Sequence, residues 1–250
     1  MSPTPLHSKT HRLYASGHDL SPLFRSFEPS EQVGDSDSTT FTDRARRYQP
    51  GMVEASATGG GMLHADPAQT RDILQAALGA KGGIVVSLPA DEDGQAGWAL
   101  PSFMASWSLN FPDDDIVDLS VSWANEAKRG ATHPRVLAAA SERTAGFNSA
   151  ALDQGAGTHS GTMIVQLLSI DAGETAPITA VTVKLQDRAA VIDSFEDVAG
   201  ATTIALDEHG FAQIPVTGVK RYTRCVATPT GTNGTYRVSV ALATHPDPEE

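Results

Sequence analysis

The sequence predicts a mainly β protein with one flanking α-helix and a second, all-β C-terminal unit, and three observations carry that reading. First, Phe103, Ala105, Trp107, Leu109 and Phe111 alternate with Ser102, Ser106, Ser108 and Asn110; beyond the turn PDDD, Val117, Leu119, Val121 and Trp123 alternate with Asp118, Ser120 and Ser122. A period of two belongs to a strand with one apolar face, so the two runs form a hairpin in which Met104 alone spoils the polar side. Second, one stretch alone, DPAQTRDILQAALG, carries a helix pattern with its stop and start signals. Third, from residue 161 onward the chain reads as strands only: GTMIVQLLSI, ITAVTVKLQD, ATTIALDEHGFAQIPV, VKRYTRCVAT and TYRVSVALAT.

Taken in order, residues 1–10 are polar and contain proline, as a loose N-terminal tail would be. His11 to Ser16 is the first strand, GHDLSP a turn, and LFRSFEPSEQV a second strand expected to pair with the first as a hairpin. VEASATGGGML is a strand weakened or bulged at Gly59, Gly60 and Gly61, where no side chain is available to pack. In the helix Asp66 suits the cap, Pro67 the first turn and Gly79 the end, and Thr70, Ile73, Leu74, Ala77 and Leu78 share the face that lies on a sheet. GGIVVSL is a short buried strand. Residues 11–130 thus form a first β domain, and the segment 131–160, rich in Ala, Gly, Ser and Thr, is a connector with room for a short strand at RVLAAA. Residues 161–250 form the second unit: Val181, Val183 and Leu185 alternate in one strand, Tyr236, Val238, Val240 and Leu242 in another, and DEHG and TNG are hairpin-type turns.

The 250 residues are enough for one large β domain or two of moderate size, and 40% hydrophobic with 19% charged residues is a folding composition. A formal net charge of −12 disfavours a protein that holds nucleic acid through a basic surface. The lone Cys225 makes no internal disulfide and reads as a buried, inert thiol. With neither a signal-like apolar stretch near residue 1 nor an apolar run of membrane-spanning length, the expectation is a soluble protein made in a cytoplasm.

Chemistry finds little support. The eight histidines follow no metal-ligand spacing, so neither a metal site nor a cofactor is expected. ATGGGM lacks the Lys-Ser/Thr and the following helix of a phosphate loop, and PDDDIVD lacks the glycine and closing glutamate of a calcium loop. GTHSGT, with His159 and Ser160, is not a nucleophile elbow, so a hydrolase rests only on a hidden triad and the chain is read as not an enzyme.

What remains is the polar segment DSTTFTDRARRYQPGM. Acidic residues Glu28, Glu31, Asp35 and Asp37 lead into Arg44, Arg46 and Arg47 around Tyr48. Arginine and tyrosine are enriched at interfaces, and a long loop inside a compact domain usually has a task, so residues 34–52 are either a solvated loop or an arm reaching a neighbouring subunit.

These residues resemble a known family. LYASGHDLSPLFRSFEPSEQVGDSDSTTFTDRARRYQPGMVEASATGG is similar to the opening of major tail tube proteins of long-tailed, siphovirus-type bacteriophages, through Gly17, Asp19 to Pro22, Thr39 to Phe41, Asp43, Ala45, Tyr48, Pro50 and Gly51. VTVKLQD, VKRYTRCVAT and TYRVSVALA resemble the second half of such proteins. The resemblance implies a tail-tube β-sandwich or barrel with a flanking helix, and a structural subunit of the virion tail whose rings stack into a conduit for DNA. Its partners would be copies of itself, in hexameric or pseudo-hexameric trimeric rings, and other tail proteins, with DNA passing unbound and no membrane involved. The inter-subunit contact candidates are then Thr39, Thr40, Phe41, Asp43, Arg44, Arg46, Arg47 and Tyr48. The alternative is a carbohydrate- or host-surface-binding β-sandwich module of a virion, which needs an exposed aromatic row; Phe195, Phe211, Tyr222 and Tyr236 instead fall mostly at alternating strand positions and read as core.

Overall fold

The structure, a computed structural model, describes residues 11–37, 48–62, 67–89, 93–111, 117–126, 130–199, 201, 204–207 and 210–246. The protein is mainly β. Its elements are β1 (His11–Ala15), β2 (His18–Asp19), β3 (Phe24–Asp37), β4 (Tyr48–Met62), α1 (Pro67–Ala77), β5 (Ile84–Pro89), β6 (Trp98–Asn110) and β7 (Asp118–Asn125). There follow β8 (Arg135–Arg143), β9 (Phe147–Asn148), β10 (Leu152–Asp153), β11 (His159–Ala172), β12 (Ala180–Arg188), β13 (Glu196–Asp197), β14 (Ile204–Leu206), β15 (Gly210–Val219), β16 (Tyr222–Thr230) and β17 (Gly234–Pro246).

Two compact units result, interleaved in sequence: residues 1–20, 87–97 and 133–250 form one, residues 21–86 and 98–132 the other. The expected connector at 131–160 is therefore largely structured, with β8 spanning RVLAAA and pairing with β17. Residues 11–20, expected to belong with the first domain, group with the C-terminal unit.

In the unit of residues 21–86 and 98–132 the strand order is β5-β6-β7-β4-β3. Strand register sorts its side chains into cross-strand rows. Pro29, Ala57, Trp123 and Met104 make one row; Phe27, Gly59, Val121 and Trp107 the next; Phe24, Gly61, Leu119 and Leu109 a third. Leu119, Val121, Trp123 and Met104 are buried, and Phe27 packs edge-on against Trp98 and Trp123 at 5.6 and 6.1 Å between centroids. Met104 belongs to this apolar face. A bulge between Met104 and Ser106 inserts Ala105 and reverses the alternation, so Phe103, expected on the apolar side, lies with the hydroxyl residues, while Ala105 and Phe111 are exposed.

The glycines of β4 sit opposite a register shift between Phe24 and Ser26, so the irregularity falls in β3, not in β4. A Cβ on Gly59 would meet the Phe24 ring at 2.5 Å, and one on Gly61 would lie 2.0 Å from the Leu23 carbonyl oxygen. Close approach of ring and backbone is what these positions require.

Helix α1 ends as expected, with Gly79 at φ 69° accepting the left-handed geometry and its N–H donating to the Met104 carbonyl at 3.0 Å. Leu74 is fully buried, a contribution of roughly 1.5–3 kcal/mol. Leu78, expected on the same face, is exposed because the helix stops at Ala77 and Leu78 bridges to Met104 through its backbone. Asp66 lies outside the described residues.

The other unit is a β-sandwich. One sheet runs β15-β11-β17-β8, the other β10-β16-β12-β13, with β14 on β12 and β9 on β16. Their inner faces meet in a single core that includes Met163, Val165 and Leu167, Val181, Val183 and Leu185, Cys225, and Tyr236, Val238 and Val240. The Tyr236 hydroxyl donates to the Ala145 carbonyl at 2.9 Å, which satisfies its only buried polar group. TNG is not a hairpin turn, and Glu208 and His209 of DEHG lie outside the described residues. The chain leaves β16 and β14 in one sheet and enters β17 and β15 in the other, and the Asn233 carbonyl accepts from Gly173 and Ile178 to hold the crossing.

β1 does not pair with β3. Ser16 and Gly17, both at positive φ (47° and 89°), make a two-residue turn, and Tyr14 and Ala15 pair with Asp19 and His18. This small hairpin lies on the outer face of β11, where the Gly17 N–H donates to Gln166 Oε1 at 2.6 Å and Asp19 meets Arg237 at 3.6 Å. Leu13, Tyr14 and Leu20 are buried, and a Cβ on Gly17 would reach Gly210 backbone at 2.9 Å.

Candidate functional site

Of the expected contact residues, Thr39, Thr40, Phe41, Asp43, Arg44, Arg46 and Arg47 lie outside the described residues; Tyr48 opens β4, with its Cα opposite Asp37. The segment 34–52 is thus not all loop. Residues 34–37 and 48–52 continue the β3–β4 hairpin, whose strands reach 14 and 15 residues, and residues 38–47 connect them. Gly34, Asp35, Ser36 and Asp37 carry no apolar alternation in the sequence; what extends the strand through Asp35, Ser36 and Asp37 is pairing with Tyr48 to Pro50.

β3 is the last strand of its sheet, and its side chains from Glu28 to Val33 are exposed. Between the apolar rows lie two rows of a different kind, Ser26–Gly60–Ser120–Ser108 and Glu28–Thr58–Ser122–Ser106, each crossing four strands. They line one shallow groove. Ser106 and Ser122 share a hydrogen bond at 2.8 Å, and Ser26 donates to the Gly60 carbonyl at 3.5 Å. Among the described residues Glu28 is the groove's single charge, and no cation lines it. The serines of β6 and β7 were visible in the sequence as the polar half of an alternation; Ser26 and Thr58 carried no such pattern and join them only through register.

In the sandwich unit His159 and Cys225 are built into the frame. His159 is buried on β11, its Nε2 3.5 Å from the Gly155 carbonyl oxygen. Burial pushes the Cys225 thiol up to about 11, away from the thiolate that reacts. Among the described residues no three His, Cys, Asp or Glu side chains cluster as metal ligands, and no helix is long and apolar enough to cross a membrane. The four aromatic residues divide. Tyr236 is in the core, while Phe195, Phe211 and Tyr222 are half-buried, and the rings of Phe195 and Tyr222 are covered by arginines rather than presented as a row.

Asp153 on β10 accepts from Arg221 Nη2 at 2.7 Å and Nε at 2.9 Å and from the Gly155 N–H at 2.9 Å. The Arg221 hydrogen bonds, helped by that of Gly155, hold its carboxyl down to about 2 from the ordinary 3.8. The folded value lies below the unfolded one, so the pair stabilises above the ordinary value and its contribution fades as pH falls toward about 2. Thermal unfolding followed from pH 5 to pH 2 should therefore show an acid-side decline in melting temperature that Asp153→Asn makes shallower; an identical slope in the variant would remove the pair from the pH response. The pair is solvent-exposed, so the effect is small.

No protein-family model matches the chain, and no curated protein matches it. Among solved structures, a chain from the virion of a native gene transfer agent particle is similar over 49% of this chain and 95% of its own, at 14% identity and TM-score 0.38. The SPP1 Dit (gp 19.1) protein, described as a paradigm of the hub adsorption apparatus in phages infecting Gram-positive hosts, is similar over 94% of this chain and 99% of its own, at 12% identity and TM-score 0.35. A chain of infectious bursal disease virus, Gx strain, is similar over 94% of this chain and 55% of its own, at 11% identity and TM-score 0.26.

Proposed function

We propose that this protein is a structural subunit of a phage tail tube, without catalysis, whose copies join into rings that stack into a conduit for DNA. The observation that carries the reading is the sheet of residues 21–86 and 98–132: it ends on the 14-residue strand β3, with no further strand on its outer edge among the described residues, and carries a hydroxyl-lined groove without a cation. A free edge of that length is a template for a neighbour's strand. Pro29, Glu28 and Glu31 on the same strand restrict indiscriminate pairing, so the edge calls for one specific partner. A head-to-tail contact of this kind closes into a ring, and copies stacked along the axis extend it. A surface mostly of Ser, Thr and Gly, with Val121 and one glutamate, gives phosphates hydration and no counter-charge, as a DNA conduit requires. In this arrangement residues 38–47, at the far end of the β3–β4 hairpin, form the arm that engages the neighbouring copy.

Negative-stain imaging of the concentrated full chain, with a tail initiator or scaffold supplied, should show rings or tubes. A sample that stays monomeric under those conditions overturns the reading.

A further inference from the structure

Six large hydrophobic residues are exposed among the described residues, and the most exposed is Ile192 at 94%, next to Val191 at 60%. They occupy the centre of a tight turn after β12. The Asp193 N–H donates to the Ala190 carbonyl at 3.1 Å, and the Asp193 carboxylate accepts from the Ala190 N–H at 2.8 Å, so one aspartate closes the turn at both ends. Arg188 Nη1 donates to the Asp193 carbonyl at 3.2 Å and ties the turn to the strand. Two β-branched side chains are thus held out in water by a fixed backbone. Chain entropy does not explain them, because little is lost when such a turn is covered.

The base of the turn is Phe195, with the guanidinium carbons of Arg188 and Arg224 at 4.4 and 4.1 Å from its ring centroid. Arg224 is fixed further by donating from Nε and Nη2 to Gln186 Oε1 at 2.9 and 2.8 Å. The other cations of this face have carboxylates: Lys184 with Asp197, Lys220 with Asp187 and Glu196, Arg221 with Asp153. Among the described residues Arg188 and Arg224 have neutral partners only, a carbonyl, an amide oxygen and aromatic rings. Ordered arginines, an aromatic ring and exposed aliphatic side chains in one patch are the composition of a binding hot spot.

We infer that the Val191–Ile192 turn with Arg188 and Arg224 is a docking knob for an acidic surface on a second copy of this chain. Charge complementarity chooses the occupant. The chain has 30 acidic against 18 basic residues, so its copies carry carboxylates in excess, whereas the two guanidiniums of this patch bond none among the described residues and its one carboxylate, Asp193, is engaged by the Ala190 N–H. The contact is separate from the β3 edge and does not depend on it.

Sedimentation of the full chain over a range of concentrations and salt tests the contact, using wild type, Ile192→Asp, Arg224→Glu and the conservative Ile192→Leu. All four should keep the wild-type circular dichroism spectrum. Wild type and Ile192→Leu should self-associate, and Ile192→Asp and Arg224→Glu should weaken association by on the order of thirtyfold. Added salt should weaken the wild type and leave Arg224→Glu less affected. Variants that associate like wild type, or a wild type that stays monomeric, overturn the inference. Tubes built normally from Ile192→Asp chains would sink this contact and leave the tube reading standing; a dimer that depends on the turn but never builds a tube would do the reverse.

Discussion

On the proposed tube reading, replacing residues 38–47 with Asn-Gly is expected to give a chain that folds as before and does not build tubes. Asp37 and Tyr48 are directly opposite in the ladder, so a two-residue turn of the type that Asn-Gly favours closes the hairpin without changing its register. Stability should shift little, because the ladder from Val33–Val53 to Phe24–Gly61 and the aromatic rows beneath it stay intact. Assembly should fall from tubes to unstacked species, since the replacement removes Thr39, Thr40, Phe41, Asp43 and the three arginines Arg44, Arg46 and Arg47 together. Imaging beside a thermal melt separates the outcomes. A variant that unfolds assigns the segment to the core, and one that stacks normally assigns the arm's task elsewhere.

The largest loss of stability is expected from Trp123→Ala. Trp123 is buried on β7, with Phe24 and Phe27 at 5.8 and 6.1 Å between centroids and Met104 and Ala57 across the strands. Emptying that volume costs about 3–5 kcal/mol, because the flanking strands are held by their ladders and cannot collapse into the gap. All three tryptophans, Trp98, Trp107 and Trp123, lie in the unit of residues 21–86 and 98–132, so fluorescence of the remaining two follows that unit alone. A cost below about 1 kcal/mol would mean that the aromatic rows are not its core.

Much of this unit was legible because strand geometry imposes its own period. Leu119, Val121 and Trp123 point one way and Ser120 and Ser122 the other for the same reason that any strand alternates, and the sequence displays it without reference to a partner. Met104 looked like an error in that pattern. It is not one, because the bulge at Ala105 exists only where β6 has β7 to be out of step with. Helix α1 was legible at its C-terminal end, where Gly79 fits left-handed geometry by itself, and misleading at Leu78, whose exposure follows from a bridge to a strand 26 positions on, as the numbers of Leu78 and Met104 give. In the sandwich, TNG carries the chemistry of a tight turn, and local chemistry is silent on whether the next strand joins the same sheet or the opposite one.

The candidate site divides along the same line. Polar composition singled out the segment before Gly51, and the β3–β4 pairing then made it the end of a long hairpin. Two serine rows needed register across four strands, and the exposed Val191–Ile192 turn had no sequence mark, since a Val-Ile pair reads as core until its surroundings are known.

By itself, then, the amino-acid sequence determined that this is a mainly β protein, how β7 alternates, and that Gly79 ends α1, because those properties depend on torsion angles and periods within a few residues. Tertiary structure alone decided which strands pair, how the chain interleaves two units, and which side chains stay in water. Those are set by contacts between residues far apart along the chain, such as Gly17 with Gln166, and no local period encodes them.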